Sequence, residues 1–172
     1  MQGLRYSIRR ARVSDGDAVL AIEHAAALRF ASVGMHDIAQ GVGLSNAHYD
    51  RFVALGAVFL CMQQHLPVGF VAACMVDGAC HVAELDVLPE HAGHRLGSRL
   101  IDEAAVWAVK KGASCLTLTT FASVPWNAPY YARLGFRTES LSAFGPGHTE
   151  IWEGQREMGL NMSERLLMVR SL

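Results

Sequence analysis

The stretch ELDVLPEHAGHRLGSRLIDEAAVWAVKKG, residues 84–112, constrains the fold more than any other. An apolar, strand-like segment ends at a proline, passes through a loop with two glycines and enters a helix. Leu96, Leu100, Ile101, Ala104 and Ala108 share one face of that helix over 95–111, and Gly112 follows its end. The next segment, SCLTLTTF (114–121), reads as a strand. A strand, a helix and a strand in this order need a crossover, so the two strands run parallel.

The remaining chain supplies antiparallel partners for that pair. YSIRRA (6–11) alternates and reads as a first strand, SDGD (14–17) supplies a cap, and AVLAIEHAAALRF (18–30) has helical period. Residues 31–47 read as a loop or short helix, and NAHYDRFVAL (46–55) as a second helix. AVFLCMQQ (57–64) and LPVGFVAACMV (66–76) read as strands, and Asp77-Gly78 is a hairpin turn into ACHVAELDVL (79–88). Asn127 precedes a short helix, PYYARL, that stops at Gly135. FRTESLS, HTEIWEGQREM and ERLLMVRSL then read as strand, helix and strand. The expected fold is α/β or α+β: a three-layer sandwich with a mixed, mostly antiparallel sheet of about seven strands and helices on both faces. No linker, repeat or low-complexity tract divides the chain, so 1–172 reads as one domain.

Composition excludes several classes. At 51% hydrophobic and 18% charged residues the chain is a globular protein. Its net charge of -1, with Lys and Arg spread along the sequence, gives no basic surface for nucleic acid. The longest apolar runs fall short of the roughly 20 residues of a membrane span, and the N-terminus lacks the apolar region of a secretory signal. A cytoplasmic protein is expected. Cys61, Cys74, Cys80 and Cys115 lie in apolar segments without CxxC spacing, which reads as buried thiols. His91 and His94 sit in a loop with no matching ligand pair, so no metal site is expected.

The turn before the long helix offers chemistry. A helix N-terminus carries unpaired N–H groups and partial positive charge, and Gly93 and Gly97 let the main chain approach an anion such as a diphosphate. Arg95 and Arg99 could add charge-assisted contacts. The same glycines could equally serve a plain strand-to-helix connection, and the segment holds neither GxGxxG nor GxxxxGK[ST].

VLPEHAGHRLG (87–97) and YYARLGF (130–136), together with the order of elements over nearly the whole chain, resemble the GNAT superfamily of N-acetyltransferases. The resemblance implies a GNAT-like sandwich that binds acetyl-CoA without a metal. It puts the pyrophosphate on Gly93, His94, Arg95, Leu96, Gly97 and Ser98, and the pantetheine arm beside Leu85, Asp86 and Val87 like an added strand. Three positions depart from the family pattern: Ala92 stands for the usual Arg or Gln, Arg95 for the first Gly, and Val124 for an Asn seven residues before the Tyr. Arg95 fits if its φ stays below zero. Asn127, four residues before Tyr131, is either a substitute contact to the pantetheine or a helix cap.

Acetyl transfer to an amine needs a neutral nucleophile, a proton acceptor, stabilisation of the oxyanion and an acid for the thiolate. The resemblance puts that acid at Tyr131, still protonated at neutral pH; otherwise Tyr131 packs on the sheet. Glu84 and Asp86 share a strand face about 7 Å apart, and their proximity raises the pKa of one of them. Glu84 is the expected base, directly or through water, or else an ion-pair partner of an Arg on a covering helix. A backbone N–H near Val87 is the expected oxyanion donor. Glu23, Arg29, Phe30, Met35, His36 and Asp37 are specificity candidates in the variable first third. The expected partner is a small-molecule or peptide amine, with monomer and homodimer both open. The other reading is a non-catalytic acyl-CoA-binding domain.

Overall fold

A computed structural model describes residues 5–41, 43–55 and 57–172; the readings above that include 1–4 and 42 fall outside it at those positions. Seven strands form one open, mixed sheet in the order β1-β2-β3-β4-β5-β7-β6. They are β1 (Tyr6–Arg10), β2 (Val58–Gln63), β3 (Leu66–Val76), β4 (Ala79–Val87), β5 (Cys115–Phe121), β6 (Arg137–Glu139) and β7 (Arg165–Ser171). Among the described residues six α-helices accompany them: α1 (Gly16–Ala27), α2 (His36–Ala39), α3 (Asn46–Ala54), α4 (Leu96–Lys110), α5 (Ala128–Arg133) and α6 (Pro146–Glu157). The parallel pair expected from the crossover is β4 with β5, where Cys80, His81 and Val82 face Leu116, Thr117 and Leu118.

The chain divides into two compact units. One holds the residues up to Cys74 together with Glu84–Ala104, and the other Met75–Ala83 together with Ala105–Leu172.

In the first unit, β1 pairs antiparallel with β2, and β2 with β3 across a bulge at Cys61/Met62. Alternation puts Val58, Leu60 and Met62 on one face of β2, and Phe70 and Ala72 on the same face of β3. Val19 and Ile22 of α1 and Tyr49 of α3 cover that face. Tyr49 is a buried tyrosine whose hydroxyl donates to the Arg12 carbonyl at 2.6 Å, which ties α3 to the loop before α1. Burial, then the nearby Asp15 charge, push its pKa up to about 12. Arg9 grips Asp15 with two bonds of 2.8 Å, so the chain leaves β1 at a fixed angle.

In the second unit, β5 pairs antiparallel with β7 over its whole length, and β7 with β6. The Asp77-Gly78 turn has φ of 49° and 79°, the two left-handed residues of a type I′ hairpin. α4 ends as its sequence demands: Gly112 is left-handed, Ala113 N–H bonds to Ala108 C=O and Gly112 N–H to Val109 C=O.

Several element ends shift by a residue or two from the sequence reading, α1 starting at Gly16 instead of 18 among them, and three differences have a plain physical reason. α1 tightens into 3-10 turns at Leu28–Val33, so Arg29 and Phe30 lie beyond the α-helix. FRTESLS contributes only three residues to the sheet, because Ser140 caps a 3-10 turn at Leu141–Ala143. α6 begins two residues early, at Pro146, where a proline costs nothing because its missing N–H has no helical partner.

Candidate functional site

The turn 88–95 follows β4 directly. Leu88 N–H bonds to Val68 C=O, Pro89–His91 makes a single 3-10 turn, and Arg95 C=O accepts the first α4 bond, from Arg99 N–H at 3.2 Å. Leu96, Gly97 and Ser98 therefore form the first turn of α4, the stretch whose N–H groups an α-helix leaves without internal partners. Ser98 turns its hydroxyl back onto Arg95 C=O at 2.9 Å, which fixes the turn.

The expectation for Arg95 is corrected. Its φ is +57°, and Gly93 has φ +83°. A left-handed residue followed by a helical one makes successive N–H groups converge, which is how a backbone nest for an anion is built. Arg95 thus adopts a left-handed conformation that favours glycine without being glycine, at a cost of roughly 1–2 kcal/mol. Arg95→Gly is expected to raise stability by about 0.5–1 kcal/mol, net of glycine's extra freedom in the unfolded chain, and the melting temperature by about 1–4 °C. A melting temperature that falls instead would show that the arginine side chain holds the turn.

Arg99, which could add a charge-assisted contact to an anion, donates from its guanidinium to the Tyr6 carbonyl at 3.1 Å, on the β1 side.

At the end of β4 the structure brings Glu84 and Asp86 together with Glu23 of α1 and Arg29. Asp86 has a strongly altered acidity. Burial first, then the Glu84 and Glu23 charges, push its carboxyl well above the usual range, with Arg29 opposing. Its Oδ2 is buried and has no hydrogen-bond partner among the described residues. Burial also raises Glu23, against the pull of Leu44 N–H and of His24. Glu23 lies so close to Gly43 that a Cβ there would overlap its carboxylate. The loop after α2 is thereby fastened to α1 beside the β4 carboxyl groups.

Leu85 and Val87 alternate with these carboxyl groups. Asp86 C=O and Val87 approach Gly69 of β3 so closely that a Cβ on Gly69 would meet them at 2.9 and 3.0 Å. Among the described residues, β4 pairs with β5 only over Cys80, His81 and Val82.

Tyr131 and Asn127 belong to the second unit. α5 closes with Gly135 at φ +87°, Phe136 N–H on Tyr131 C=O and Gly135 N–H on Ala132 C=O. That arrangement brings residue C″ against residue C3, and the Phe136 and Tyr131 rings indeed meet, with centroids 5.8 Å apart. The YYARLGF string is thus a helix stop that fixes the Tyr131 ring. Tyr130 meets Tyr131 edge-on at 5.5 Å and lies under Arg133. Asn127 occupies the cap position of α5 by backbone alone. Its carbonyl accepts from Tyr131 N–H at 3.0 Å, and its side chain makes no cap bond.

Sequence reasoning missed a buried polar chain in the second unit. Asp77 Oδ2 lies 2.8 Å from His148 Nδ1, His148 Nε2 lies 2.9 Å from Thr117 Oγ1, and Thr117 Oγ1 lies 3.0 Å from His81 Nδ1. Asp77 also accepts from the Gly147 and His148 N–H groups at the start of α6. Its carboxyl is held below the usual range, first by the His148 side-chain bond. The one available signal was Asp77 itself, a turn residue with a carboxylate to spare. Among the described residues no group of three or more His, Cys, Asp or Glu is arranged to hold a metal ion, and no helix is long and apolar enough to cross a membrane.

Solved structures of similar fold are acetyltransferases. The PaiA N-acetyltransferase of Thermoplasma acidophilum, in complex with coenzyme A, is 13% identical with a TM-score of 0.70, over 98% of this chain and 100% of that one. N-acetylglutamate synthase of Neisseria gonorrhoeae, complexed with coenzyme A and N-acetyl-glutamate, is 20% identical with a TM-score of 0.72, over 99% of this chain and 36% of that one. The ribosomal-protein-S18-alanine N-acetyltransferase of Escherichia coli is 17% identical with a TM-score of 0.63, over 97% and 94%. The model of the acetyltransferase (GNAT) family matches residues 25–136, from α1 through the Gly-Phe that ends α5. With that match over more than half its length, the chain belongs to the GNAT acetyltransferase family.

Proposed function

We propose that the protein is an acetyl-CoA-dependent N-acetyltransferase that moves an acetyl group to a primary amine by direct attack, with no covalent enzyme intermediate. Family membership supports acyl transfer. The amine part rests on the carboxyl pair of half-buried Glu84 and Asp86 on the strand before α4, where Asp86 buries an oxygen and is held well above the usual acidity range.

An amine reaches an enzyme at neutral pH as an ammonium ion and must lose a proton before it attacks. Glu84 accepts that proton, directly or through a water. Because Glu84 and Asp86 repel each other when both are ionised, the pair takes up a proton more readily than two isolated carboxylates would. As the nitrogen–carbon bond forms, the Val87 N–H donates to the developing oxyanion. As the carbon–sulfur bond breaks, Tyr131 gives its proton to the leaving thiolate, and the second amine proton restores the tyrosine.

Acetyl-CoA fits the residues present. The left-handed Gly93 and Arg95 turn and the first turn of α4 offer converging N–H groups from His94, Arg95, Leu96, Gly97 and Ser98 to a diphosphate. Leu85, Asp86 and Val87 offer main chain to the pantetheine, and the Asn127 side chain, which caps nothing, is a further contact. The reading extends to one catalytic domain over 1–172 and to the cytoplasm, where the four free thiols are stable.

Thiol release from acetyl-CoA over a panel of small and peptide amines tests the activity, with amine-dependent release and one acetylated product expected. Tight CoA binding without release on any amine would overturn it in favour of a non-catalytic acyl-CoA-binding domain. Gly97→Val tests the cradle, since its side chain would crowd the diphosphate. CoA affinity should fall at least about tenfold by calorimetry, equivalent to about 1.4 kcal/mol. Unchanged affinity in the folded variant would move the diphosphate elsewhere.

A further inference from the structure

Tyr6, the first residue of β1, touches the turn before α4 at three points. Its hydroxyl is 3.0 Å from His91 Nδ1. Its ring meets the His91 ring edge-on at 5.8 Å and the His94 ring, tilted, at 5.6 Å. Its carbonyl accepts from the Arg99 guanidinium at 3.1 Å, on the second turn of α4. These contacts join residues 85 and 93 positions apart, whereas the turn's own bonds within 88–95 are two 3-10 links, His91 N–H to Leu88 C=O and Ala92 N–H to Pro89 C=O.

A turn with glycine at 93 and a left-handed Arg95 has a large conformational space to lose, and binding affinity falls when a site must be ordered at the moment of binding. We infer that Tyr6 is a positioning residue for the coenzyme cradle: ring and hydroxyl hold the 91–94 segment while the carbonyl holds Arg99, so that the N–H groups of 94–98 stand ready before the ligand arrives. This rests on the CoA-binding reading above. The device is a brace in which Tyr6 touches no reacting atom. Removing it should therefore weaken CoA binding and leave the chemistry of the bound complex alone.

The test compares Tyr6→Ala, Tyr6→Phe and His91→Phe with the parent, using CoA calorimetry, steady-state kinetics in acetyl-CoA and hydrogen exchange at 89–98. Tyr6→Ala should raise the CoA dissociation constant and the KM for acetyl-CoA about tenfold, leave kcat within about twofold, and speed amide exchange in the turn. Tyr6→Phe and His91→Phe keep ring contacts and lose one hydrogen bond, so each should cost about threefold in affinity. His91→Phe also answers the question if Tyr6→Ala does not fold. Equal affinity and equal exchange in folded Tyr6→Ala would overturn the inference. So would a fall in kcat with KM unchanged, the signature of a smaller folded fraction. If the parent itself binds no CoA, the failure belongs to the CoA reading.

Discussion

Tyr131→Phe is expected to lower kcat by a factor on the order of 10 to 1000, while CoA affinity stays close to that of the parent. The hydroxyl is the only group removed. The ring keeps its contact with Phe136 and its place at the stop of α5, where main-chain bonds from Gly135 and Phe136 fix the helix end regardless of the side chain's tip. The loss should thus appear in the step that breaks the carbon–sulfur bond and not in folding. A thiolate that leaves without a proton is a poorer leaving group, and the penalty should ease as pH falls and solvent supplies protons. Tyr130→Phe is the control. Its neighbour on the helix points about 100° away, and it is engaged with Arg133. Steady-state kinetics on both variants, with circular dichroism for the fold, decide the matter. Small and equal effects would make Tyr131 a packing residue and favour the non-catalytic acyl-CoA-binding domain.

Legibility in the sequence follows the range of the interactions involved. The crossover was readable because α4 announces itself by an apolar stripe and stops at a glycine, and the hairpin because Asp77-Gly78 permits little else. The family was readable for the same reason: its motifs are local turns. What failed was conformation against type. Arg95 carries a side chain that disfavours positive φ, and only the surrounding turn imposes it. The acidity of the β4 pair was foreseen as a repulsion, but the burial of the Asp86 carboxyl could not be read from its own strand, and the Glu23 and Arg29 charges that act on it come from a different part of the chain. Side-chain networks that span the sheet left no mark. His81, Thr117 and His148 read as three unrelated residues because 36 and 31 positions separate them.

That network carries a large expected loss of stability. Thr117 is 0% exposed, His148 2% and His81 3%. One proton arrangement satisfies all three bonds: His148 donates from Nδ1 to Asp77, Thr117 donates its hydroxyl proton to His148 Nε2, and His81 donates from Nδ1 to the Thr117 oxygen. Thr117→Val keeps shape and strand preference but leaves two buried ring nitrogens without a partner, each costing about 1–3 kcal/mol. A loss of about 3 kcal/mol is expected, or a fall of about 6–12 °C in melting temperature for a chain of this size. Thr138→Val, at an exposed position of β6, should change stability by no more than about 0.5 kcal/mol. The same chain sets an acid limit. Burial, then His148 and Arg165, push the His81 pKa down to about 3 from its ordinary 6.5, so between those values the unfolded chain binds a proton that the folded protein refuses. Stability from this source is complete above pH 6.5 and declines as pH falls toward 3, by up to about 1.4 kcal/mol per pH unit. His81→Gln, which keeps a hydrogen-bonding side chain without the titration, should flatten that decline in denaturant melts between pH 6.5 and 4. If Thr117→Val costs less than about 1 kcal/mol, the chain is not holding α6 to the sheet. If His81→Gln leaves the acid slope unchanged, the proton is taken up elsewhere.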